Sequence, residues 1–68
     1  MIVTLHQCGT PQKSVDVATV EEASRVVTDW QDERGMGASD MGARHGEVHE
    51  GTDLVARISY NGRVRKVG

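Results

Sequence analysis

The stretch Thr19 to Gly35, TVEEASRVVTDWQDERG, constrains this chain more than any other. Val20, Ala23, Val27, Trp30 and Arg34 recur at steps of three and four, with Val26 widening the stripe, which predicts one amphipathic helix. Thr19 can accept a hydrogen bond from the first turn, and Glu22 stands where it can complete a capping box. Gly35 follows the last turn, where a left-handed residue commonly ends a helix. The remaining segments read as strands that cover the apolar side of this helix.

Those strands must do so with few large side chains. Among 68 residues there is one Trp, one Tyr and no Phe. The core is therefore expected to consist of Val, Ile, Leu, Ala and Met, with Trp30 as its largest piece. A chain this short buries only about 60% of its unfolded surface. Losing a fully buried Trp30 would cost roughly 3–5 kcal/mol.

Ile2 to Gln7 is β-rich and ends at Gly9-Thr10-Pro11, where Gly permits positive φ and Pro removes a ladder donor. Ser14 to Ala18 alternates around Val15 and Val17, so the two segments predict a hairpin with Val3, Leu5, Val15 and Val17 inward. The outer helix face carries Glu21, Arg25, Asp29, Asp32 and Glu33, with Glu21–Arg25 and Arg25–Asp29 spaced for ion pairs. Asp32 and Glu33 lie where the helix dipole disfavours negative charge.

Residues 35–46, GMGASDMGARHG, follow no period, and Ser39 could cap a single short helical turn there. Glu47 to Glu50 then forms a short strand around Val48. In the next strand Leu54, Ala56, Ile58 and Tyr60 share one face, and Val55, Arg57 and Ser59 the other. Asn61-Gly62 marks a hairpin. A three-residue loop, Tyr60-Asn61-Gly62, places Val64 opposite Ile58, whereas a two-residue loop places Arg65 there. The first pairs apolar with apolar and is expected. The chain is thus read as one α+β domain, residues 1–68, with a single helix on one face of an antiparallel sheet in the order β-β-α-β-β-β.

Chemical signals are sparse. Cys8 is the only cysteine, which excludes an internal disulfide and favours a reducing, cytoplasmic setting. It is read as a small buried or half-buried thiol; a nucleophile–base pair with His6 or His49 lacks an orienting third group. His45 and His49 are about 13 Å apart along a strand, too far to share an ion, and no CxxC or HExxH pattern occurs. No catalytic, metal or cofactor-binding residues are assigned. The N-terminus resembles neither a signal peptide nor a membrane anchor.

Two charged groups remain. The acidic helix face with the Gly-rich loop (Glu21, Asp29, Asp32, Glu33, Met36, Asp40 and Met41) can contact a protein partner with a basic surface. Arg57, Tyr60, Arg63 and Arg65 offer an alternative contact to nucleic acid, against a net charge of −2. An exposed edge strand would allow a homodimer as well as a monomer. No membrane contact is expected.

Gly37-Ala38-Ser39-Asp40, then Gly46-Glu47-Val48, then Leu54 to Val64 (LVARISYNGRV) resemble segments of small uncharacterised proteins of proteobacterial phages and plasmids. Such relatives often carry an aromatic residue after the final Val, where this chain has Arg65. The resemblance implies a mobile-element setting and brings no catalytic residues. Small acidic proteins in that setting include inhibitors of host defence complexes, such as anti-CRISPR proteins, and by analogy with that class a binding role is expected.

Overall fold

The computed structural model describes residues 1–67. Five strands, β1 (Ile2–Leu5), β2 (Lys13–Asp16), β3 (Glu47–Glu50), β4 (Asp53–Ile58) and β5 (Val64–Lys66), form one antiparallel sheet in the order β2-β1-β3-β4-β5. One helix, α1 (Val20–Arg34), lies on one face and carries the chain from edge strand β2 across to β3. This is the α+β layout read from the sequence.

The helix starts and stops where its residues dictate. Thr19 is extended, and its hydroxyl accepts from the Glu22 N–H at 3.0 Å. The Glu22 carboxylate accepts from the Ala18 N–H at 2.7 Å, one residue earlier than a reciprocal capping box requires. At the other end Gly35 has φ 64°. Its N–H reaches Asp32 O, and the Met36 N–H reaches Gln31 O, so two orphan carbonyls are satisfied in a Schellman motif.

The core gathers Val3, Leu5, Val17, Ala23, Val27, Val48, Ala56 and Ile58 between helix and sheet. Trp30 is not its largest piece. It lies half-buried at the rim, and the buried line on α1 is Ala23, Val27 and Gln31. Steps of four place those three residues in one row, so the helix lays that row on the sheet and turns Trp30 to the side. Arg34 is exposed.

Register corrects several strand expectations. β1 ends at Leu5, and Gln7 makes only an isolated bridge to Met41. β2 is Lys13–Asp16 and stops short of Ala18; Val17 is nevertheless buried and Val15 packs at the core edge. Between β3 and β4 the register shifts after Val48, so His49 pairs with Leu54 while Val48 pairs with Ala56. The bulge at Val55 turns Val55, rather than Leu54, toward the core. The last hairpin follows the expected register: Ile58 pairs with Val64 and Gly62 takes φ 86°. Neither helical ion pair forms. Among the described residues Glu47 forms an ion pair with Arg57 at 3.8 Å, and its carboxylate lies 3.9 Å from His49 Nε2. No helix among them is long and apolar enough to cross a membrane.

Candidate functional site

Gln31 and His45 are buried polar side chains, 4% and 7% exposed. They form one hydrogen-bonded chain across the end of the molecule. The His6 backbone N–H donates to His45 Nδ1 at 2.9 Å. His45 Nε2–H donates to Gln31 Oε1 at 2.7 Å, and Gln31 Nε2–H donates to the Tyr60 carbonyl at 2.8 Å. A carbonyl and a backbone N–H at the two ends leave one consistent set of roles, with His45 neutral and its proton on Nε2. Burial lowers the His45 pKa from 6.5, and the neighbouring His6 lowers it further. Both nitrogens are committed, so this imidazole braces β1, α1 and the last hairpin and is not free to act as a base.

The brace extends outward. The Trp30 ring lies 5.6 Å from that of His45, and the Arg34 guanidinium lies over the Trp30 ring, 4.7 Å from its centre. Arg34 Nε also donates to Gln7 Oε1 at 2.9 Å. The two ring nitrogens of His6 lie 2.8 Å from the Ala43 carbonyl oxygen and 2.9 Å from that of Thr10, and the tautomer sets which of them donates. Cys8 is exposed rather than half-buried, and its thiol points to Met41 O at 3.4 Å. No pocket and no group of three or more potential metal ligands occurs among the described residues.

The acidic group divides. Glu21, Asp29, Asp32 and Glu33 are all exposed on α1. At 100° per residue they span about 120° of the helix surface together with Glu22 and Arg25. That face holds five carboxylates and one guanidinium. The loop residues behave differently. Met36 is 5% exposed, so its side chain belongs to the interior, and Met41 is half-buried. Asp40, half-buried, accepts from the Gly37 N–H at 2.9 Å and closes the short helical turn Ala38–Asp40, the role expected of Ser39.

The basic group divides too. Arg57 and Arg65 are directly opposite each other, and Arg63 is opposite Ser59. All three alternate with residues packed against the helix, so they share the helix-free face. Tyr60 is not with them. Its hydroxyl donates to Met36 O at 2.9 Å, on the helix side.

Sequence reading missed Gln31 and His45. The signal was present: Gln31 continues the Ala23–Val27 row, and a polar residue there needs a buried partner. Comparison with protein-family models, with curated proteins and with solved structures finds no match.

Proposed function

We propose that this chain is a non-enzymatic binding protein that docks the outer face of α1 on a basic surface of a partner protein. The observation that carries the reading is the exposed arc of five carboxylates and one guanidinium on a single rigid helix. Glu21 and Glu22 lie about two helical turns before Asp29, which Asp32 and Glu33 follow, with Arg25 between the two groups, a fixed array of mainly negative charge that can occupy a surface built for phosphates. Met36 drops out of the contact set because it is buried. Asp40 and Met41 flank the face only as half-buried loop residues.

The setting belongs to the same proposal: a phage or mobile-element protein acting in the cytoplasm, which inhibits a host defence complex of the CRISPR–Cas type by covering its nucleic-acid-binding surface. Affinity capture from host lysate at low and high salt tests it. A basic protein retained by the native chain, released by salt and lost on reversing Asp29, Asp32 and Glu33 to Lys is the expected result. Capture that ignores both salt and charge reversal removes α1 from the interface.

A further inference from the structure

The helix-free face of the sheet has an order of its own. Ile2 pairs with His49, and His49 pairs with Leu54, so the three form one row across β1, β3 and β4. Ile2 and His49 each neighbour a fully buried valine in sequence, which places the row on the side away from α1. Ile2 is 41% exposed, and the His49 and Leu54 side chains are half-buried. The next row, about 7 Å along the strands, is Glu47, Arg57 and Arg65. Arg63 lies two residues before Arg65 on the same face.

Two guanidiniums directly opposite each other on neighbouring strands repel. Of the three arginines Glu47 reaches Arg57 alone, and it also lies 3.9 Å from His49; neither Arg63 nor Arg65 has a carboxylate within 4.0 Å among the described residues. Charge on an edge strand guards against aggregation, which accounts for Arg65 and Lys66 on β5. Arg57, on the inner strand β4, is directly opposite Glu47 and pairs with it at 3.8 Å, so one carboxylate meets three guanidiniums around this row. Glu47 offsets one guanidinium, a further anion would offset the other two, and planar guanidinium forks match phosphate oxygens. The row beside them offers an imidazole and two aliphatic side chains on which flat rings can lie.

We propose that this face binds single-stranded nucleic acid, with phosphates on Arg57, Arg63 and Arg65 and bases across Ile2, His49 and Leu54. The proposal goes beyond docking through α1 and uses the opposite side of the molecule. A polymer with phosphates on one edge and bases on the other fits a row that carries two guanidiniums beside Glu47 and a parallel row of Ile2, His49 and Leu54 that ends at Asp16 on β2, better than an acidic protein does.

Fluorescence polarisation with short labelled single-stranded DNA and RNA tests it, with labelled duplex DNA and heparin as competing anions. Three phosphate contacts predict a slope of about −2 in log affinity against log salt, or roughly 20-fold weaker binding between 50 and 200 mM. The double variant Arg57→Gln/Arg65→Gln should cut the slope to about −0.7. His49→Ala should weaken binding several-fold and leave the slope unchanged, because it removes stacking and no phosphate contact. Circular dichroism checks that each variant is folded. No saturable binding at 50 mM salt overturns the proposal, as does binding that the arginine pair leaves unchanged. Tighter binding of heparin or duplex, indifferent to His49, overturns it in favour of a general anion surface. The acidic helix face is unaltered in these variants, so failure here leaves the α1 reading standing.

Discussion

Replacing Gln31 by Leu removes the middle of the buried polar chain at nearly constant volume. Two groups lose their partners: the Tyr60 carbonyl and His45 Nε2–H. Each stranded buried group costs about 1–3 kcal/mol. Burying an aliphatic side chain in place of the amide returns about 1.5 kcal/mol. The expected loss is therefore about 2.5 kcal/mol, within a span of about 0.5–4.5 kcal/mol. A domain of this length has about 3–10 kcal/mol in total, so the loss is a large share. It corresponds to a fall in Tm of roughly 10–20 °C. Urea unfolding at pH 7.5, followed by Trp30 fluorescence and circular dichroism, measures it. A loss below about 0.5 kcal/mol, the size of an ordinary surface substitution, refutes the claim that this chain braces the fold.

Three further outcomes follow from particular residues. The lowered pKa of His45 means the unfolded chain binds its proton more readily. Its contribution is complete above pH 6.5 and is lost as pH falls below that toward its folded value, with a slope of up to about 1.4 kcal/mol per pH unit. The difference between native and His45→Gln stability curves isolates that proton, and a flat difference between pH 7.5 and 5 contradicts it. Gly46→Ala should cost more than about 2 kcal/mol or prevent folding, because Gly46 has φ 81° and an added Cβ would meet the Ile58 carbonyl oxygen at 2.2 Å; tolerance within about 0.5 kcal/mol in urea would be inconsistent with that approach. Glu33→Lys should raise stability by about 0.3–1 kcal/mol by matching the helix dipole, and a loss in the same assay would show that Glu33 has a stabilising partner.

Local rules carried the fold a long way. The helix ends could be read because Thr19 and Gly35 act on backbone groups within a few residues. The last hairpin could be read because only one loop length pairs Ile58 with Val64. What the sequence concealed depends on three-dimensional neighbours. β1 lies between β2 and β3, and its partners Ile2–His49 and Val3–Val48 are 47 and 45 residues apart, a pairing that no local pattern encodes. The bulge at Val55 exchanges Leu54 for Val55 on the core face, and strict alternation cannot anticipate it. Trp30 outranked Gln31 by hydrophobicity, but the amide had a histidine and a carbonyl waiting inside, and the indole found a guanidinium at the surface. For the candidate contacts, the sequence placed the acidic group on α1 and the arginines on the last hairpin, and it did not show Glu47 beside Arg57. It could not reveal that Met36 turns inward, or that Tyr60 leaves the arginine face to bond Met36 O.

The most direct test of the binding account is photo-crosslinking in host lysate at low salt, with a photoreactive residue at position 29 on α1 or, separately, at position 13 on β2. The account predicts an adduct with a basic protein from position 29 that disappears at high salt, and none from position 13. Adducts from position 13 alone, or an adduct from position 29 that persists at high salt, would contradict docking through the acidic helix face.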